Sequence, residues 1–405
     1  MTDAVPELWD VIIVGAGPAG SSAARVAAEA GARVLLIDRA RFPRYKTCGG
    51  GITGRSSVAL PDAVRASFAA TVFEAQITDF GLSRCGGDRV MLHADIPFLG
   101  MVQRERFDQA LVDAAVAAGA EFRDGTALRG LEEVATGIQL RVGDEVLHAR
   151  VVVGADGSSG RTSAYVGVEF AASDLGLEVE LEAPDHEWGS TALFDWGADR
   201  GAYAWLFPKH DTLTIGVIQR TGLPDATRAY LELWIGQLGL AGATRLRESG
   251  HLTRWRSRRS PLRRGSVLVA GEAAGLLEPW TREGISFALR SGAMAGAAAA
   301  SAAAAQGGDE LSRERALDGY VTSVERELAP DIVAGAAMLT VLERFPGPLH
   351  RFLAHTSRGR RLFLALCRGG PRVSALVHHP LTRVAAPLLA KRRPQRRTGS
   401  PRATA

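Results

Sequence analysis

Two stretches of this chain bring together residue types that could do chemistry. Cys48 precedes three glycines, Gly49, Gly50 and Gly51. Such a run makes a poor helix or strand, so it reads as a loop whose backbone presses against something, such as a cofactor ring. Tyr203, Trp205 and Phe207 alternate along an apolar run. A strand there puts all three on one face, as an aromatic wall or as an ordinary sandwich core. Upstream, Gly15, Gly17 and Gly20 form a turn, and Asp38 closes the next apolar run. Gly15 permits a tight turn, Gly17 lets the backbone approach a pyrophosphate, Gly20 lets helix and strand pack closely, and Asp38 can accept hydrogen bonds from a ribose. These residues predict a bound dinucleotide, NAD or FAD.

Those residues need particular elements to hold them. Val11 to Val14 reads as a strand, residues 21–30 as a helix and residues 33–37 as a second strand. A helix is expected from Gln103 to Ala118 with Gly119 as its stop, and strands at residues 121–123, 138–142 and 146–153. The last runs into the turn Gly154-Ala155-Asp156-Gly157. Alternating runs at 177–181, 191–196, 203–207 and 212–218 predict an antiparallel sheet inserted into the first domain. Residues 225–238 read as a helix, and a third strand-turn-helix passes through Gly271 and Glu272. The region from Leu311 to Ala390 reads as helices broken by prolines. The fold class is therefore α/β with an α+β insert.

With 405 residues, 46% apolar and 23% charged, the chain can fill two globular domains. Its three cysteines are too few and too far apart for a disulfide framework or a metal site, which fits a reducing cytoplasm. No signal or transit peptide is expected. The alanine-rich run 288–305 is too polar to span a membrane. From Arg344 onward lie 14 of the 48 Lys and Arg and none of the 44 Asp and Glu. That asymmetry predicts docking to an anionic surface. The basic residues alternate with aliphatic rather than base-stacking side chains, so a membrane is expected and nucleic acid is not. Residues 349–366 read as amphipathic helices that could lie on such a surface, and residues 391–405 as a disordered basic tail.

Together these segments resemble the flavoprotein superfamily that includes p-hydroxybenzoate hydroxylase, and within it the geranylgeranyl reductase family. The resemblance runs from about Asp10 to Ala305. It implies a Rossmann-type FAD-binding domain (1–70, 101–165 and 260–305), an inserted substrate domain (71–100 and 166–259) and a helical C-terminal region (306–390). FAD contacts are implied for Gly15, Gly17, Pro18, Ala19, Gly20, Asp38, Arg39, Cys48, Gly49, Gly50, Arg104, Asp156, Gly271, Glu272, Gly284 and Ile285. Glu272 stands where the family's third fingerprint has Asp. Gly160 and Ser163 stand where the second usually has serine and arginine, and Arg282 replaces a more usual glycine. Lys46 to Gly51 is similar to the family's cysteine-glycine loop, and Tyr203 to Pro208 to its Tyr-x-Trp-x-Phe-Pro signature. Only Gly216 survives of the Gly-x-Gly that follows.

The resemblance implies reduction of C=C bonds in a prenyl-chain lipid, with NAD(P)H or ferredoxin as electron source. An isolated trisubstituted alkene is not polarised toward hydride, so a proton must reach the other carbon. Cys48 is the first candidate donor and Tyr203 the second; the faces of Tyr203, Trp205 and Phe207 would stabilise the positive charge that develops. No second strand-glycine-helix motif is present for a nicotinamide cofactor. The oligomeric state is left open. A monooxygenase or halogenase of the same superfamily is the alternative, but no Trp-x-Trp-x-x-Ile-Pro signature is found; a non-catalytic flavin-binding protein is a third reading.

Overall fold

The computed structural model describes residues 8–377, apart from 185, 198 and 306–308. The tail 391–405 and the end of the expected helical region lie outside them. Three sheets organise the chain. The largest has a parallel core in the order Val267–Val269, Glu145–Gly154, Leu8–Val14, Val34–Ile37, Glu121–Arg123. Its central strands carry unbroken apolar runs, Val11 to Val14, Val34 to Ile37 and Val151 to Val153, because both faces are covered there. Val11, Ile12, Ile13 and Val151 to Val153 are wholly buried. The helix Pro18–Glu29 packs against the alanine-rich helix Ile285–Ala304 at Gly292 and Gly296, where any Cβ would strike the carbonyls of Ala19 and Ala23. Glycine there sets the close approach of the two helices.

The first helix begins at Pro18, three residues before the sequence expectation, because proline suits the first helical turn. Arg104–Ala117 forms as expected and ends before Gly119, which has φ +106°. Sequence reading missed the strand Leu128–Val134, whose mixed burial hides any alternation, and Arg245–Arg256, a mostly polar edge strand.

The second sheet has seven strands, in the order Arg245–Arg256, Phe170–Glu182, Thr212–Arg220, Tyr203–Lys209, Thr191–Trp196, Asp79–Arg84, Gly87–His93. It is not wholly antiparallel: Thr191–Trp196 runs parallel to Asp79–Arg84. The reason is topological, since Asp79–Arg84 arrives from a separate excursion of the chain. The stretch 71–100 divides between sheets. Its ends, Phe73–Ile77 and Leu99–Val102, form a three-stranded sheet with Gly51–Thr53. Gly51, expected in a loop, thus opens a strand.

The seven-stranded sheet has two unlike faces. Val179, Leu206, Ile215 and Val217 pack under the helix Pro224–Gln237, around Leu231, Trp234 and Ile235. The other face meets the C-terminal helices. Ala329–Arg344, Pro346–His355 and Ser357–Cys367 break at prolines and at Thr356, a capping residue. Leu349 and Leu353 are buried, and Phe363, Leu364 and Leu366 pack inward. Most of the apolar residues expected on a membrane surface therefore fill the protein; Phe345 and Phe352 are the large ones left exposed there.

Candidate active site

The glycine turn is braced from three sides. Gly15 has φ +100°, and a Cβ on it would overlap the carbonyl of Ala155, so the first and second turns interlock. Asp38 accepts from the backbone N–H of Ala16 and of Ala40, each at 2.8 Å, and so ties the turn to the second strand. Gly20 fits against the carbonyl of Gly15. Gly17 differs: the nearest atom to its missing Cβ is Arg44 Nη2, at 3.5 Å. The helix that starts at Pro18 has no side-chain cap, so its first N–H groups face this gap. Arg44 pairs with Asp108 at 3.0 Å and approaches Asp38 at 4.0 Å. An uncapped helix end beside a guanidinium fits the pyrophosphate of a dinucleotide. Arg39 is exposed at the edge of this turn.

The other predicted cofactor residues divide into two groups. Asp156 accepts from Thr162 N at 3.2 Å and from the Thr162 hydroxyl, bracing the helix Arg161–Val166. A Cβ at Gly160 would collide with that carboxylate, so glycine stands there for room. Gly271, with φ +58°, abuts Ala19 and donates to Ser291 Oγ at 2.9 Å. Gly284 caps the alanine-rich helix, and Ile285 begins it. A charged cluster forms the second group. Arg104 is buried and forks onto Asp108 with two bonds of 2.8 Å. Against its burial, Asp108 and the hydrogen-bonded Cys48 hold it protonated. Burial raises the pKa of Glu272, but His251, 3.0 Å away, with Lys46 and Arg104, brings it down to about 2. Burial in turn lowers the pKa of Lys46, against the pull of Glu272.

A cavity of about 320 Å³ opens from this cluster onto the second face of the seven-stranded sheet. Cys48 and Gly49 line it together with Tyr203, Trp205, Phe207 and Phe194. Leu366 and Cys367 close it from the C-terminal helices. Burial pushes the Cys367 thiol up to about 12. The aromatic wall is thus real, and cross-strand geometry explains its shape. Trp205 pairs with Gly216, and Gly216 with Glu178, in one row across three strands. The Trp205 ring lies where a Gly216 side chain would be. That accounts for the one glycine kept from the expected pair.

The Cys48 loop packs directly on this wall. A Cβ at Gly49 would sit 2.8 Å from the Phe207 ring and 3.1 Å from Trp205 Nε1. Gly50 has φ +82° and lies on the carbonyl of Val102, which only glycine accommodates without strain. The structure therefore brings Cys48, Tyr203, Trp205 and Phe207 to one cavity. It separates the two candidate proton donors. Tyr203 stacks on Phe194 at 4.3 Å and donates its hydroxyl proton to the Thr281 carbonyl at 2.6 Å; burial raises its pKa. Arg282, at φ +57°, explains why a glycine would suit its position. Here the cation instead pairs with buried Asp174 at 2.7 Å and lies 5.2 Å from the Tyr203 ring.

Four site residues were missed. Arg44 sat inside a basic stretch that gave no reason to single it out, and Lys46 reads as the start of the cysteine-glycine loop without a role of its own. Glu178 alternates with Leu177 and Val179 and reads as a solvent-facing residue; that face is the cavity. His251 lies on the unpredicted edge strand and left no signal.

Comparison with known proteins adds to this geometry. Residues 9–194 match the FAD binding domain family. Geranylgeranyl diphosphate reductase of Rhodobacter capsulatus is 30% identical over 309 residues, covering 72% of this chain and 74% of that protein. Among solved structures, a geranylgeranyl bacteriochlorophyll reductase-like protein from Thermoplasma acidophilum superposes with a TM-score of 0.73 at 19% identity, over 92% of this chain and 99% of its own. The flavin-dependent brominase Bmp2 also reaches 0.73 at 19% identity, over 94% and 100%. At that identity both structures show a common fold.

Proposed function

The chain belongs to the geranylgeranyl reductase family of FAD-dependent oxidoreductases, and from that membership we propose that it saturates C=C bonds in the prenyl chain of a lipid. The cavity carries the reading, because it joins the Cys48-glycine loop and an aromatic wall to the edge of the dinucleotide cradle. FAD, once reduced, supplies the hydride. Gly15, Gly17, Gly20, the first N–H groups of the helix at Pro18, and Arg44 would hold its pyrophosphate, with Asp38 and Arg39 toward the ribose. Arg104, Lys46 and Glu272 supply charge between that cradle and the cavity.

Within the cavity the apolar wall excludes water and offers large contact area to an aliphatic chain. Its ring faces favour positive charge developing at the more substituted alkene carbon. Cys48 holds the proton that this carbon's neighbour receives, while Tyr203, engaged with Thr281, shapes the wall. The electrons come from an external donor, NAD(P)H or a ferredoxin. A twenty-carbon chain costs on the order of 10 kcal/mol to expose to water, at roughly 0.8 kcal/mol per CH2, so the substrate resides in a bilayer and the enzyme meets it as a peripheral protein. Among the described residues no helix is long and apolar enough to cross a membrane. Exposed Phe345 and Phe352, with the basic C-terminal region, suit that contact.

The test is anaerobic incubation of photoreduced protein with a geranylgeranyl lipid. A gain of two daltons per saturated bond is expected by mass spectrometry. A gain of sixteen daltons in air would replace the reading with a monooxygenase, and an unchanged lipid would leave a flavin-binding protein without this reaction.

A further inference from the structure

Glu178 is 2% exposed, in the middle of Phe170–Glu182, and its side chain forms part of the cavity lining. Three donors converge on one of its oxygens. Cys48 N–H reaches Oε1 at 2.8 Å, the Tyr45 hydroxyl at 2.9 Å and the Ser249 hydroxyl at 3.5 Å. Tyr45 and Ser249 are themselves 2.7 Å apart, both partly buried. None of these bonds uses Oε2, which leaves that oxygen to carry a proton. The cation that faces Glu178, Lys209, is paired with Glu180 at 3.7 Å. Burial raises the carboxyl's pKa; Tyr45, the Cys48 amide and Lys209 oppose this, and Glu180 adds to it. A buried carboxyl without a cation on it, anchored to the backbone of the cysteine, suits proton storage.

We propose that Glu178 is the proton reservoir of the cavity: it reprotonates Cys48 after each reduction. This rests on the reductase reading and on Cys48 as donor. In the first step the Cys48 S–H bond breaks and a C–H bond forms at one alkene carbon, as hydride from reduced FAD forms the other. The thiol becomes a thiolate, the alkene is reduced and the flavin is oxidised. In the second step the Glu178 O–H bond breaks, its proton moves to the thiolate, and a carboxylate remains. Solvent restores the acid through Ser249 and Tyr45.

Glu178→Gln keeps an acceptor for the Cys48 amide and cannot release a proton. Photoreduced E178Q should complete its first turnover on geranylgeranyl diphosphate within about threefold of wild type. Continuous turnover with dithionite should fall by on the order of a hundredfold. In the oxidised holoenzyme, the infrared carboxylic-acid absorption that shifts in deuterium oxide should be smaller in E178Q than in wild type by the share of one carboxyl, the other buried acids, Glu278 among them, being common to both. Unchanged continuous turnover, an equally slow first turnover, or identical infrared spectra would each overturn the reservoir. If wild type reduces no prenyl chain, the reductase reading falls and the reservoir with it; if only E178Q behaves as wild type, the reservoir alone falls.

Discussion

Trp205 and Leu206 are neighbours on one strand and face opposite sides of the seven-stranded sheet. Leu206 lies with Val179, Ile215 and Val217 beneath Trp234 and Ile235. On that side Gln219 reaches Thr227 at 2.8 Å and Trp234 Nε1 donates to the Trp205 carbonyl at 3.1 Å, while the Tyr230 hydroxyl on the helix is left without a partner among the described residues. Trp205 faces a cavity rimmed by a buried acid, Glu178, and a buried ion pair, Arg282 with Asp174. Its own Nε1 has no hydrogen-bond partner among the described residues. Leaving such groups in an apolar setting costs stability. A sheet can thus spend one face on folding and leave the other for a ligand.

Substitutions should separate the two faces. Trp234→Ala empties the helix-covered side and should cost about 3–5 kcal/mol of stability, read by chemical denaturation, with the turnover of the folded fraction unchanged. Cys48→Ala should do the reverse. Alkene reduction should fall by roughly 10²–10⁴-fold while FAD absorbance and the denaturation midpoint hold. Loss of turnover in the first or of stability in the second would break the division.

The seam between the cavity face and the dinucleotide cradle should respond to acid. His251, on the edge strand, binds Glu272 at 3.0 Å. The Glu272 pKa sits at about 2 against an ordinary 4.5. A depressed carboxylate contributes its stability in full above the ordinary value and loses it as pH falls toward 2. The contribution is on the order of 3 kcal/mol. Glu272→Gln should flatten that acid limb of the melting curve between about pH 4.5 and 2; an unchanged limb would show that the charge of Glu272 among His251, Lys46 and Arg104 carries no stability.

How much of this could be read beforehand follows from the same contrast. The parallel strands announce themselves because burial on both faces leaves unbroken apolar runs, and the glycine turns because their steric needs are local. Cys48 and the aromatic triplet were legible for the same reason, as short-range patterns. Glu178, His251 and Arg44 were not. Their meaning depends on partners far away in the chain, as Glu178 shows with Cys48 and Ser249. Alternation locates a strand's two faces but does not say which one meets water, so an acid over a cavity looks like an acid on the surface. The parallel pairing of Thr191–Trp196 with Asp79–Arg84 was hidden too, since strand patterns carry no direction.

A single exchange, Trp to Phe, made once on each face, gives the smallest effect and the closest comparison. At Trp234 it removes a donor that the Trp205 carbonyl accepts. The fold loses that bond and some packing, and about 1–2 kcal/mol of stability should go with them. At Trp205 the nitrogen removed has no partner. The change relieves the cost of burying it and gives up part of the ring's contact over Gly216, so stability should move by less than about 1 kcal/mol. Activity should sort the other way. Trp205→Phe weakens a π face that serves the developing cation and widens the cavity, so reduction should slow by about tenfold, whereas Trp234→Phe should leave the rate alone. Equal stability losses at both sites would mean that the Trp205 nitrogen has a partner in solution, and that the cavity face is as well satisfied as the face beneath the helix.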